Sequence, residues 1–236
     1  MNKRNKYRPV SIYLLFLTGF MSILSLSACG ETGSNRNIME QEGKSVTAGD
    51  ESPVAFDSNA NDTITLGGGC FWCVEAVYER LAGVVSAVSG FSGGNVKNPS
   101  YEEVCTGLTG HAEVVQIAFD TAKVSLDEIL KVFFTVHDPT TLNRQGNDVG
   151  TQYRSVIFYR NNHQKEVATS IINALNKEKV YDSPVVTQVE PFTKFYKAED
   201  YHQEYYDNNK NQPYCRLVIQ PKLEKFEKVF KDRLKK

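Results

Sequence analysis

From residue 62 onward the chain alternates between a two-residue and a three-to-four-residue apolar period. That alternation restricts it to folds in which helices cover a sheet. Thr63-Ile64-Thr65-Leu66 reads as a short strand running into the turn Gly67-Gly68-Gly69. Val74, Val77, Tyr78 and Leu81 then recur at helical spacing, so a helix begins at or just after Cys70, with Gly83 as its stop. Residues 84–91 read as extended and end in the turn Ser92-Gly93-Gly94-Asn95. Ser100 with Glu103, and Ser125 with Glu128, have the spacing of capping boxes, the second opening a helix with Leu126, Ile129, Leu130 and Phe133 on one face. Between them, HAEVVQIAFD (111–120) alternates, so Glu113, Val115, Ile117 and Phe119 share one face of a strand. A polar loop over 139–153, a strand at 155–160, a helix over 163–178 and a strand at 184–190 follow. Pro221 opens a last helix carrying Leu223, Phe226, Val229 and Phe230. The natural class is an α/β or α+β sandwich, and the order of elements leaves its topology open.

The first 61 residues have a different character. Lys3, Arg4, Lys6 and Arg8 precede an apolar run over 10–28, the order of a secretory signal. Leu26-Ser27-Ala28-Cys29 resembles a bacterial lipoprotein box, in which Cys29 is lipidated and becomes the new N-terminus. An uncleaved membrane anchor is the alternative, since the run is about long enough to span. Either reading places the remainder outside the cytoplasm, in the bacterial cell envelope. Residues 29–61 are rich in Gly, Ser, Asn and Glu without apolar period, a tether of roughly 30 Å r.m.s. span. Residues 62–236 are long enough for one core. The net charge is -1 for the whole chain, and without residues 1–28 there are 23 basic against 28 acidic side chains. Such a balance offers no electrostatic footprint for nucleic acid.

Chemistry concentrates in LGGGCFWCVE (66–75). Cys70 and Cys73 lie three apart at a helix start, where open N–H groups and the helix dipole favour a thiolate. Phe71 and Trp72, the only tryptophan, form a flat apolar wall suited to a methyl group. As bare pattern, the CxxC admits a redox centre, half a metal site or a structural disulfide. Zinc requires four ligands, and His111, His137, His163 and His202 have no ligand spacing around this one pair. No metal is expected, and no nicotinamide or flavin motif is visible, so no cofactor is expected either. A thioredoxin-like oxidoreductase and a non-enzymatic lipoprotein with a structural staple remain open at this level.

GCFW (69–72), GFSGG (90–94), NPSYEEVCTGLTGHAEVV (98–115), HDP (137–139), QGNDVGTQYRS (145–155) and FYKAEDYHQEYY (195–206) resemble, in order, the motifs of A-type peptide methionine sulfoxide reductases. The resemblance implies a two-layer α/β sandwich with a ferredoxin-like plait core, a mixed sheet and a long irregular C-terminal segment. It implies reduction of the S epimer of peptidyl and free methionine sulfoxide, with Cys70 as the nucleophile that becomes a sulfenic acid. Phe71 and Trp72 would hold the ε-methyl group. Glu113 would protonate the sulfoxide oxygen, Tyr101 and Tyr153 would hydrogen-bond to it, and Asp148 would position substrate and water. The strand pattern independently turns Glu113 toward the apolar side, where desolvation favours its protonated form. The cluster Tyr201, Tyr205 and Tyr206 is expected to be structural, and His137 and His202 to support loops.

Many members of that family carry Gly where this chain has Cys73, and recycle through cysteines of a mobile C-terminal segment. Here Cys73 is expected to resolve the sulfenic acid first, with Cys215 in NQPYCRLVI as the alternative. Two cysteines in one helical turn need local rearrangement to reach disulfide geometry. Cys105 is expected to be buried, as free cysteines usually are. By resemblance, the disulfide is reduced by thioredoxin or a thioredoxin-like partner acting outside the cytoplasm. A monomer, tethered to the membrane through its lipid, completes the expectation.

Overall fold

A computed structural model describes residues 61–236. The signal, Cys29 and most of the tether lie outside the described residues. Among the described residues there are eight strands: β1 (Asp62–Gly68), β2 (Val84–Ser92), β3 (Ala112–Phe119), β4 (Arg144–Gln145), β5 (Asp148–Val149), β6 (Ser155–Tyr159), β7 (Gln188–Pro191) and β8 (Phe195–Lys197). The α-helices are α1 (Phe71–Glu79), α2 (Tyr101–Cys105), α3 (Leu126–Val136), α4 (Asn162–Lys177), α5 (Tyr205–Asn208) and α6 (Gln220–Val229).

Six strands form one sheet in the order β7-β6-β1-β3-β2-β8, and β4 pairs with β5 in a separate hairpin. Only the β6–β7 pair is parallel, so the sheet is mixed. Strand β3 lies between β1 and β2, with Ile117 opposite both Ile64 and Ala87. The helix-bearing face buries Ile64, Leu66, Phe91, Val115, Ile117, Phe119 and Ile157 against α1, α3, α4 and α6.

The alternation in β3 decides which of two cores each residue joins. Val115, Ile117 and Phe119 enter the main core, whereas Ala112 and Val114 join Val156 and Phe158 in a small cluster on the other face. Phe192 and Phe195 cover that cluster, and the Arg160 guanidinium lies 3.8 Å over the Phe192 ring. Every residue of β3 is therefore buried, although its sequence reads as half-buried.

Both capping boxes form. Ser100 accepts from the Glu103 N–H at the start of α2, and Ser125 from the Glu128 N–H at the start of α3. The helix expected over 163–178 is α4, capped by Asn161 on the Gln164 N–H at 2.9 Å. The strand expected at 184–190 is shorter and later, because Val186 N–H turns to the Pro139 carbonyl before pairing with β6 begins. The polar loop at 139–153 contains the β4–β5 hairpin and a 3₁₀ turn, Thr151–Tyr153. The last helix begins before Pro221: a π turn, Cys215–Ile219, runs directly into α6. The C-terminal segment is thus less irregular than expected.

Candidate active site

Cys70 is the N-cap of α1, and its side chain makes no capping bond. One open amide of that helix end, the Phe71 N–H, donates instead to Glu113 Oε2 at 3.1 Å. The approach is tight because Gly67 has no side chain: a β-carbon there would come within 3.0 Å of the Glu113 carbonyl oxygen. Gly69 has φ +90°, and a β-carbon on it would meet Gln145 at 2.5 Å. The glycines before Cys70 let β1 turn into α1 while the neighbouring chain stays close.

Glu113 is 1% exposed, and the Cys70 residue 5%. Burial, with Asp148 and Cys73 adding negative charge, pushes the Glu113 carboxyl up to about 8, against the Phe71 hydrogen bond. It therefore holds its proton at neutral pH. Tyr101 and Tyr153 both lie near Glu113, and burial followed by that carboxyl raises both phenols above their ordinary value. They remain hydrogen-bond donors. Phe71 stacks with Tyr101 at 6.2 Å between ring centroids. Trp72 stacks flat on Tyr205, 3.7 Å apart at 8°.

The thiols of Cys70 and Cys73 are both buried, one helical turn apart, and each shifts the other's ionisation. Burial, then the Cys73 and Glu113 charges, raise Cys70, while the nearby Tyr214 hydroxyl opposes them. Cys73 is lowered to about 7, first by the neighbouring Cys70 thiol and then by the Lys222 ammonium, against desolvation. Tyr214 also donates to Asp148 Oδ2 at 2.8 Å and sets its ring edge-on to Trp72 at 5.8 Å. A groove of about 520 Å³ beside it is lined by Gln145, Asp148, Tyr214, Leu217 and Lys222, among others.

All the pocket residues expected from sequence converge here: Cys70 from the N-cap of α1, Phe71 and Trp72 from its first turn, Tyr101 from α2, Glu113 from β3, Asp148 from β5 and Tyr153 from the 3₁₀ turn. Cys73 is buried in the same helical turn, and Cys215 is buried at the start of the π turn, within electrostatic reach of Cys73.

Three expectations are corrected. Cys105 is exposed, because Val104 is the buried residue of the short α2 and the next residue turns outward beside Tyr101. His202 does more than support a loop: it is buried, accepts the Trp72 indole N–H at Nδ1 over 3.1 Å, and packs tilted against the Tyr101 ring, centroids 4.4 Å apart. Tyr205 lines the wall by stacking on Trp72, so it too belongs to the site. His137 does act structurally, linking the Phe133 carbonyl to Ser155, and burial lowers it to about 4. Tyr214 and Lys222 were not legible as site residues; the position of Tyr214 beside Cys215 was the only signal.

The family model of peptide methionine sulfoxide reductases matches residues 62–234. The chain belongs to this family. It is an enzyme that reduces methionine sulfoxide. The reductase is 59% identical over 174 residues to peptide methionine sulfoxide reductase MsrA of Saccharolobus solfataricus, covering 74% of this chain and 97% of the relative. It is 53% identical over 173 residues to MsrA of Trichodesmium erythraeum, covering 73% and 98%. Among solved structures, reduced Mxr1 from Saccharomyces cerevisiae superimposes with a TM-score of 0.62 at 34% identity, covering 68% of this reductase and 92% of Mxr1. Methionine sulfoxide reductase A of Corynebacterium diphtheriae gives 0.60 at 34% identity, covering 66% and 78%.

Proposed function

We propose that the reductase acts on the S epimer of peptidyl and free methionine sulfoxide, with Cys70 as nucleophile and Glu113 as acid. One observation carries the assignment: a buried carboxyl that holds its proton at neutral pH is tied to the amide next to Cys70. The Cys70 sulfur attacks the sulfoxide sulfur while Glu113 protonates the departing oxygen. The protonated oxygen then passes to the Cys70 sulfur as the new sulfur–sulfur bond breaks, so methionine is released and Cys70 becomes a sulfenic acid. Phe71 and Trp72 receive the ε-methyl group, the phenols of Tyr101 and Tyr153 donate to the oxygen, and Asp148 orients substrate and water.

Cys73 then attacks the sulfenic sulfur, expelling water and closing a Cys70–Cys73 disulfide. Its place in the same helical turn, with the Cys73 N–H on the Cys70 carbonyl at 3.1 Å, supports this order over direct resolution by Cys215. An external dithiol of the thioredoxin type reduces the disulfide by exchange. The sequence of the first 29 residues supports a lipid-anchored protein of the cell envelope that acts on oxidised envelope proteins. The β-α-β-β-α-β order of β1, α1, β2, β3, α3 and β6, with sheet order β6-β1-β3-β2, supports a ferredoxin-like plait as the core.

The test is turnover of the separate S and R sulfoxides of N-acetylmethionine amide, with dithiothreitol as reductant, in wild type and Cys70→Ser. Turnover of S alone, abolished in the variant, is expected. Equal use of both epimers, or activity that survives without Cys70, defeats the reading. Peptide mapping after one equivalent of sulfoxide distinguishes a Cys70–Cys73 from a Cys70–Cys215 bridge, and the mass of the mature N-terminus tests lipidation of Cys29.

A further inference from the structure

Two buried polar atoms behind the wall of the site lack a hydrogen-bond partner: Glu199 Oε2 and His202 Nε2. They face each other at 3.7 Å, just beyond hydrogen-bond length. The 3₁₀ turn Asp200–His202 sets them side by side, with the His202 N–H on the Glu199 carbonyl at 2.9 Å. Each residue holds one side of the pocket with its other polar atom. His202 Nδ1 accepts the Trp72 indole N–H at 3.1 Å, and Glu199 Oε1 accepts the Tyr101 N–H at 3.1 Å. That amide opens α2, and the N-cap Ser100 does not serve it, because its side chain takes the Glu103 N–H.

The tautomer of His202 follows from these contacts. Nδ1 accepts, so the neutral ring carries its proton on Nε2, aimed at the Glu199 carboxylate. Burial favours the neutral ring, pushing His202 below its ordinary value against the charges of Glu199 and Glu102. An N–H and an anion at 3.7 Å still attract, because charge interactions fall off gradually with distance and these two atoms are out of water. A proton on Nδ1 instead would face the indole N–H donor to donor. Tyr201, Tyr101 and Phe71 enclose the ring, their centroids 4.0, 4.4 and 5.1 Å away, and hold its plane.

We propose that Glu199 is a positioning residue for the sulfoxide pocket: one carboxylate oxygen fixes the His202 tautomer that holds Trp72, and the other holds the start of the helix that carries Tyr101. The proposal rests on the roles given above, Trp72 receiving the methyl group and Tyr101 donating to the oxygen. A single carboxylate then sets the spacing between the two contacts. Methyl and oxygen are two of the substituents that make the sulfoxide sulfur chiral, so a fixed spacing between their contacts favours one epimer over the other.

Glu199→Gln tests the proposal, since glutamine keeps the size and keeps an oxygen for the Tyr101 N–H but presents an NH2 group to His202. The reverse amide orientation would set two donors together at 3.1 Å rather than 3.7 Å, the worse clash. A donor facing Nε2 requires that nitrogen to accept, so the ring proton moves to Nδ1 and Trp72 loses its acceptor. Imidazole nitrogen NMR of the reduced full-length protein reads the tautomer, and Trp72, the only tryptophan, reports its own surroundings by emission. The His202 proton is expected on Nε2 in wild type and on Nδ1 in the variant, with Trp72 emission shifted to the red. KM for N-acetylmethionine-S-sulfoxide amide should rise about tenfold, and kcat change less than about threefold, from the lost hold on Trp72. In a Trp72→Phe background no indole N–H remains, and there Glu199→Gln should change KM by less than about twofold. A His202 proton that stays on Nε2 in Glu199→Gln overturns the proposal. An equal rise of KM in the two backgrounds overturns it as well, because a general loss of structure acts without regard to the indole. Equal use of both epimers by wild type is a separate result: it defeats the underlying reading of the substrate and leaves the tautomer measurement standing.

Discussion

The Phe71 main-chain N–H and the Glu113 carboxyl oxygen meet at 3.1 Å, joining the first turn of α1 to the second residue of β3 across 42 positions of sequence. The bond does two things: it occupies an amide that the uncapped helix start leaves open, and it aims a protonated acid at the space beside the Cys70 sulfur.

Glu113→Gln preserves the acceptor for Phe71 and removes the acid. We expect the single-turnover rate to fall by about 100-fold or more while circular dichroism stays native. Wild-type activity should decline as pH rises through about 8, and the residual activity of the variant should lack that limb.

The same substitution should stabilise the protein. The folded Glu113 carboxyl titrates near 8, above its ordinary 4.5, so its neutral form favours folding fully below about 4.5 and that advantage is lost as pH rises through 8. Glutamine has no charge to shed, so Glu113→Gln should gain up to about 3 kcal/mol over wild type at pH 7 and nothing at pH 4. Urea unfolding at both pH values measures the difference. An equal effect at the two pH values would contradict the burial argument.

His202 holds the Trp72 indole through Nδ1, so that nitrogen is an acceptor and the ring is neutral. His202→Ala leaves a half-buried indole N–H without its partner and removes the ring packed against Tyr101. A loss of about 1–3 kcal/mol in stability is expected from the orphaned donor. The KM for sulfoxide should rise about tenfold, with a smaller change in kcat, in steady-state kinetics.

Gly69→Ala places a methyl group 2.5 Å from Gln145, in backbone that a side chain rarely adopts. Gln145 clamps Asp138 through its N–H and its carbonyl, each at 3.1 Å, and pairs with Asp148 across the hairpin. Displacing it should cost about 1–3 kcal/mol and lower kcat through Asp148, measurable by thermal unfolding alongside turnover.

Among the described residues, Cys105 is the exposed thiol, whereas Cys70, Cys73 and Cys215 are buried. A bulky maleimide should therefore label Cys105 first in the native reduced enzyme, as read by peptide mass mapping. Cys105→Ser should remove that label and leave turnover within about twofold of wild type, as for an exposed substitution.

Much of the site is legible in the amino-acid sequence. Ser-x-x-Glu spacings, the two-residue period of β3 and the helical period after Cys70 are local signals, and each produced the expected element. The inward turn of Glu113 followed from the same two-residue period. What failed depended on neighbours distant in sequence. Whether β3 has one covered face or two depends on where Phe192 and Phe195 return, some 75 residues later. Cys105 is exposed because only Val104 of its short helix has a core to face, which residue type alone does not reveal.

The sequence by itself determined β1, β2, β3 and β6, the helices α1 to α4, the thiol pair at a helix start and the face on which Glu113 lies, because these follow from local periodicity and capping chemistry. Tertiary structure alone decided the electrostatics of that pair. Tyr214 reaches Cys70 and Lys222 reaches Cys73 only after the π turn and α6 pack against α1, and burial sets how strongly each is felt. Charge and hydrogen bonding act through space over a few ångströms, and contacts made across about 140 to 150 residues leave no period in the chain for a reader to find.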